Sequence, residues 1–170
     1  MSGGLRVAKC QRTRERIATA AARHAHSVHV EVRGLAPSRW YWYRFTAGGE
    51  RSAVGRTRTA PAPGREEALA FAIASCQRYD DGYYAAWRHL AAESPDLVVF
   101  LGDYIYESAP RKGRVRTHTG TGAARTLDEY RARYAQYKSD ADLRRIHAIA
   151  PWILTWDDHE VQNDYAADRG

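Results

Sequence analysis

Three short stretches carry side chains able to do chemistry. The first is Gly102-Asp103-x-x-Tyr106. The glycine lets the backbone turn sharply off a preceding strand, and the aspartate then presents a hard carboxylate. A carboxylate so placed can bridge two cations, the arrangement that two-metal hydrolysis of a phosphoester needs. A tyrosine three residues on can reach back with its phenolic oxygen, and a phenolate suits a ferric ion. The second stretch is Asp158-His159-Glu160. Asp158 can hold a metal. His159 can serve as general acid, as donor to a transition state or as ligand, because imidazole works near neutral pH. The third is Cys76, whose thiol would ionise and ligate beside a divalent or trivalent ion. Each has a plainer explanation. Asp103 could cap the next segment while Tyr104 and Tyr106 pack as ordinary aromatics, and for a Gly-Asp pair taken alone that is the better explanation. An isolated histidine is more often paired at the surface, and a buried free cysteine is usually a small apolar residue.

Their positions argue against the plainer explanations. Residues 69–75 form a short apolar run ending at Cys76. Residues 97–101 (Leu-Val-Val-Phe-Leu) are apolar without alternation, which predicts a strand buried on both faces, and they end at Gly102-Asp103. Residues 152–156 predict a third buried strand, ending at Asp157-Asp158-His159. Between them, residues 82–93 predict a helix, with Tyr83, Ala86, Trp87 and Leu90 at helical spacing. Thr126-Leu127-Asp128-Glu129 has the form of a capping box and opens a helix through about Lys138. Ser139 and Asp140 can cap another through about His147. Strands alternating with helices predict an α/β domain with a largely parallel sheet. Ligands of open α/β sheets bind beyond the carboxyl ends of the strands. Three such ends on one rim weigh more than any one motif.

The composition breaks at Ala60-Pro61-Ala62-Pro63-Gly64. This divides the chain into an N-terminal module over 1–60, a linker over 61–66 and the α/β portion over 67–170. In the module, residues 27–33 alternate Val28, Val30 and Val32 with His29, Glu31 and Arg33, the period of a half-buried strand. Residues 34–38 predict a turn, 40–45 an aromatic strand, Gly48-Gly49 a second turn and 52–59 a further strand. Short strands at this spacing point to a β-sandwich of immunoglobulin or fibronectin type. Such sandwiches need about seven strands; three or four are legible, so a partial module is expected.

The net charge is +6 over 170 residues. A basic chain attracts phosphate esters, nucleic acid and anionic lipid alike. The arginines are spread along the chain, with Arg111, Arg114 and Arg116 in a loop, and form no recognition helix or aromatic platform. No specific nucleic-acid partner is therefore expected. Cys10 and Cys76 make no disulfide framework. No apolar run is long enough for a transmembrane segment. Residues 1–14 are polar and basic and lack the apolar core of a secretory signal.

Over roughly residues 26–163 the sequence resembles the alkaline phosphatase D (PhoD-like) metallophosphoesterases. The resemblance rests on Ala74-Ser75-Cys76-Gln77, the run from Asp96 to Glu107, Thr126-Leu127-Asp128-Glu129-Tyr130-Arg131-x-Arg133-Tyr134 and Trp156-Asp157-Asp158-His159-Glu160-Val161-x-Asn163. Upstream, Leu35-Ala36-Pro37, the aromatic run 41–45 and residues 55–61 resemble that family's N-terminal sandwich. The resemblance implies a metallophosphatase-type sheet-and-helix domain hydrolysing phosphomonoesters or phosphodiesters, cell-wall polymers among them, with ferric iron and calcium as cofactors. It implies that Cys76, Asp103 and Tyr106 match ferric ligands, Asp103 being shared with calcium. Asp158 and Asn163 fall where further metal or phosphate contacts arise, and His159 matches a histidine near the substrate phosphate. Members are usually exported. The chain departs from the family at Asp164, often a second Asn, and matches it poorly over residues 1–25. The family's catalytic domain continues further and takes more ligands from its second half. The expectation is thus an incomplete domain, lacking its C-terminal half and inactive or nearly so by itself. Two alternatives stand beside this. Purple acid phosphatases also join a sandwich to Gly-Asp-x-x-Tyr, but carry Gly-Asn-His where this chain has Asp157-Asp158-His159. The chain could also be a non-catalytic fragment acting at most as a binding module.

Overall fold

Backbone pairing in the computed structural model, which describes residues 15–166, separates two kinds of sheet. Contacts divide the chain into two compact units, one running to Leu69 and including Ala148–Pro151, the other comprising Ala70–His147 and Trp152 onward. In the first unit, β1 (Trp40–Tyr43) pairs antiparallel with β4 (Gly55–Arg58), and β2 (Thr46–Ala47) with β3 (Glu50–Arg51). The Gly48-Gly49 turn between β2 and β3 has φ of 57° and 88°, left-handed values that cost a glycine least. At Gly55, a Cβ would lie 2.3 Å from the Tyr43 ring, so only glycine lets β4 pass that aromatic.

The strand expected at residues 27–33 does not form. Val28 and Val30 are half-buried and Val32 is exposed, so part of the alternation survives. No strand among the described residues pairs with the segment, and without a ladder an apolar stripe alone does not make a strand. The unit is thus two two-stranded sheets among the described residues, four strands in all, where a full sandwich needs about seven. Cys10 lies outside the described residues.

The second unit holds a parallel sheet in the order β5 (Phe71–Ala74), β6 (Leu97–Leu101), β7 (Trp152–Thr155). Parallel neighbours require crossovers. Here these are α1 (Ala85–Glu93) and the pair α2 (Leu127–Lys138) and α3 (Ala141–Ile149). The capping box forms as expected: Thr126 Oγ1 accepts from Glu129 N, and Glu129 reaches back to the Thr126 amide at 2.8 Å. Asp140 caps α3, its Oδ1 accepting from the amides of Asp142 and Leu143 at 2.9 and 3.0 Å. The helix expected from residue 82 begins at Ala85, which shifts its buried stripe. Tyr84, Trp87 and Ala91 face inward, whereas Tyr83 is exposed in the turn before the helix.

The register places Val98 and Phe100 on one face of the sheet with Trp152, and Phe71, Ile73, Val99 and Ile153 on the other. The helices cover the first face. Trp87 of α1 packs 5.2 Å from Trp152 and 6.1 Å from Phe100, and His147 of α3 stacks on Trp152 at 3.9 Å. Val98 and Phe100 are fully buried. The other face is open: Phe71, Ile73, Leu101 and Ile153 are 54, 62, 50 and 59% exposed. The expectation of strands buried on both faces is therefore corrected. β6 is buried on one face, and β7 is largely exposed, because the helices of the described residues lie on a single side.

Candidate metal centre at the strand ends

The β5–β6 ladder continues past both strands. Cys76 N donates to Gly102 O, and Gln77 N to Asp103 O, each at 3.2 Å. This sets the first two sequence stretches side by side. Cys76, Gly102 and Asp103 all adopt left-handed backbone, with φ of 57°, 91° and 56°. At Gly102 a Cβ would lie 2.4 Å from Asp157 Cβ, so the glycine admits the end of β7 against the end of β6. Left-handed backbone at a non-glycine residue is sparsely populated and persists where its surroundings over-determine it. At Asp103 the surroundings are explicit. Glu160 Oε2 accepts from the Asp103 amide at 3.0 Å, and Glu160 Oε1 accepts from the amides of Tyr104 and Ile105.

Asp103 is buried. Its Oδ2 accepts from the Tyr106 hydroxyl at 3.0 Å, while its Oδ1 is buried with no hydrogen-bond partner. One donor atom each from Asp103, Asp158 and His159 lies within 4.8 Å of the others. Burial, reinforced by Asp103 and Cys76, pushes the Tyr106 phenol well above its ordinary range. The Asp158 carboxyl is held below its usual range by the Asp164 amide donating to Oδ2, with His159 adding to the effect against some burial. His159 Nδ1 lies 2.8 Å from Glu107 Oε2, and its ring centroid 4.1 Å from that of Tyr106. Asn163 is placed differently. Its amide N donates to Glu107 Oε1 at 3.0 Å, and its side chain donates to Asp164 Oδ2 at 2.6 Å. Of the six residues singled out in the sequence, Cys76, Asp103, Tyr106, Asp158 and His159 gather at the rim. The Asn163 side chain turns to its neighbour instead.

Several residues that hold the rim had no role in the sequence. Glu107, buried, joins His159 to the Asn163 amide. The hydroxyl of Tyr137, buried on α2, accepts from the amides of Tyr79 and Tyr106 at 3.2 and 3.1 Å and lies 3.0 Å from His118 Nε2. Tyr130, Tyr134 and Tyr137 at helical spacing were the one available signal. Arg78 stacks 4.6 Å over the Tyr106 ring and pairs with Asp80, which is fully buried and also bound by Arg111 at 2.6 Å. Burial alone would raise the Asp80 carboxyl, but Arg111, His118 and Arg78 outweigh it and bring it to about 2. The loop arginines are engaged in the same way. Arg111 and Arg114 pair with Asp81, and Arg116 with Asp140 at 2.7 Å, so this basic loop is neutralised from within.

A parallel sheet whose strand ends gather carboxylates, a phenol and an imidazole defines a candidate hydrolase rim, and comparison supplies the family. The model for PhoD-like phosphatase matches residues 71–170, and that for the PhoD-like phosphatase N-terminal domain residues 6–61; the chain belongs to this family. The second match begins at residue 6, upstream of residue 26, where the sequence resemblance begins. Over 148 residues the chain is 55% identical to alkaline phosphatase D of Bacillus subtilis (strain 168), a stretch covering 84% of this chain and 25% of that protein. The solved "Structure of PhoD" is similar with a TM-score of 0.89 at 49% identity, covering 96% of this chain and 33% of that one. The chain thus spans a quarter to a third of these relatives. The matches do not favour the purple acid phosphatase alternative.

Proposed function

We propose that this chain supplies part of the metal-dependent active site of a phosphoester hydrolase acting on phosphomonoesters or phosphodiesters. The observation that carries the reading is Asp103: its Oδ1 is a buried carboxylate oxygen without a protein partner, and one of its carboxylate oxygens lies within 4.8 Å of donor atoms of Asp158 and His159. An unpaired buried oxygen is costly in a folded protein, and a cation beside it would remove that cost. The donor set fits one. Asp103, Tyr106 and Cys76 would hold a ferric ion, for which phenolate and thiolate are suitable once deprotonated, and Asp103 with Asp158 would hold calcium through hard oxygens. Asn163 would join them only by turning its side chain away from Asp164. Bound cations polarise phosphoryl oxygens and offset the charge that develops on them.

The remaining work falls to the chain's own groups. The proton on Tyr106, shared with Asp103 Oδ2, is the one a ligating phenolate must lose. With Nδ1–H donating to Glu107, Nε2 of the neutral ring carries a lone pair, so the form of His159 that would pass a proton from Nε2 to the leaving oxygen is the doubly protonated ring, which returns to the Nδ1–H tautomer. The Tyr106 ring against the imidazole restricts its rotation.

The test uses the purified protein that carries this chain. Chelation is expected to abolish hydrolysis of an aryl phosphate, and Tyr106→Phe to bleach the ferric-phenolate colour. His159→Ala is expected to lower turnover by about 10²- to 10⁴-fold at unchanged metal content, whereas Asp158→Ala lowers metal content itself. Full turnover after exhaustive metal removal overturns the reading. Loss of metal in His159→Ala would make His159 a ligand instead of a proton donor.

A further inference from the structure

Glu160 carries none of the chemistry just described, yet its carboxylate is the most heavily used acceptor at the rim. Oε2 accepts from the amides of Asp103 at 3.0 Å and Asp157 at 2.7 Å. Oε1 accepts from Tyr104 at 2.5 Å and Ile105 at 3.3 Å. Three of these donors follow β6 and one follows β7. We infer that Glu160 is a positioning residue: one side chain staples the two strand ends together and so fixes Asp103 against Asp158 and His159. The inference rests on the metal-site reading above but concerns how that site is kept in shape.

The geometry gives the staple a specific task. Asp103 stands at φ 56° directly after Gly102 at φ 91°, a backbone that the residue would not choose for itself. Gly102 has removed the side chain that would hold β7 away, since Asp157 sits where a Cβ would be. Close approach is therefore permitted by the glycine, while its register is set by the carboxylate. Four amides that would otherwise lack acceptors are satisfied at once. Glu160 is also the closing member of the capping box around the 3-10 turn Asp158–Glu160, with Asp157 accepting from the Asp158 amide at 3.0 Å. The same turn therefore carries two candidate site residues and the group that docks them onto the end of β6.

Charge alone could also explain an effect of Glu160 on a nearby cation, and two variants separate the explanations. Glu160→Gln keeps the shape, but its NH₂ must face two amide donors whichever way it is turned. Glu160→Asp keeps the charge but is one methylene too short to reach all four amides. Terbium(III), a hard trivalent ion whose emission is excited through nearby tyrosine, serves as probe in the protein that carries this chain. Both variants are expected to bind it roughly 10- to 100-fold more weakly, the usual effect of losing a group that orients ligands. Without the ion, the amides of Asp103, Tyr104 and Ile105 should exchange hydrogen faster in both. Leu143→Ala, a core change in α3, is the control for general destabilisation and should leave terbium affinity unchanged. Wild-type affinity in Glu160→Asp would show that only charge matters and overturn the staple, as would unchanged amide exchange in both variants. A wild-type protein that gives no tyrosine-sensitised terbium emission would instead sink the metal reading, leaving the exchange measurement to judge the staple by itself.

Discussion

Tyr137→Phe removes one oxygen from the centre of the second unit, and the structure sets the size of the effect. The side chain is fully buried. Its hydroxyl accepts from the Tyr106 amide, which is buried, and from the Tyr79 amide, which is only partly so. It also lies within hydrogen-bond distance of His118 Nε2. Phenylalanine fills the same space, so the cavity term is negligible and the loss is electrostatic. The buried Tyr106 amide has nowhere to turn and bears a full desolvation penalty of about 1–3 kcal/mol. The Tyr79 amide can reach water and should add no more than about 1 kcal/mol, the net worth of an ordinary hydrogen bond. The expected destabilisation is therefore about 1–4 kcal/mol. Tyr84→Phe is the comparison, since its hydroxyl donates once, to Gln77 O at 2.7 Å. Losing that donor leaves only a carbonyl short of one bond and should cost about 1 kcal/mol. Urea unfolding of both variants measures the difference. A Tyr137→Phe cost no larger than that of Tyr84→Phe would refute the claim that one hydroxyl braces the loops after β5 and β6.

Two other outcomes are expected. Burial, with Lys138 nearby, brings His147 down to about 4, and its Nε2 accepts from the Tyr104 hydroxyl at 2.7 Å. It is thus neutral when folded and protonated when unfolded between about pH 6.5 and 4. Stability should fall by about 3 kcal/mol as the pH is lowered through that window; an acid limb unchanged in His147→Gln would contradict this. Expressed as its 170 residues alone, the chain presents Phe71, Ile73, Leu101 and Ile153 on one open sheet face. It should self-associate in sedimentation velocity and turn over an aryl phosphate negligibly, with Ile73→Lys and Ile153→Lys together restoring monomer; a monodisperse unsubstituted chain would contradict it.

The elements of the second unit were legible because each was written locally. Residues 97–101 are apolar between a charge and a glycine, and Thr126 and Glu129 mark the start of α2 in their own side chains. Burial was less legible, because periodicity shows which residues are apolar and not which side of a sheet has helices on it. β6 and β7 read alike in sequence, yet Phe100 is enclosed while Ile153 is half exposed. Residues 27–33 failed for a related reason, since a strand is defined by its partner and an alternating stripe carries no information about one. At the rim, donors such as Asp103 and Tyr106 could be read from type and spacing. Glu107 and Glu160 could not, although both stand inside the same motifs, because the partners through which they join distant segments lie 52 to 57 residues away along the chain.

That difference bears on how the rim is built. The groups offered as ligands are few and sit at strand ends, where backbone amides no longer have a ladder to pair with. Those amides are collected by side chains instead: Tyr137 takes Tyr79 and Tyr106, Glu107 takes Asn163, and Glu160 takes Asp103, Tyr104, Ile105 and Asp157. Each collector joins segments that are distant in sequence, so the same bonds that satisfy the backbone also set the spacing of the donor atoms. A carboxylate such as Asp103, with one oxygen held by Tyr106 and the other left without a protein partner, can persist only in so constrained a frame.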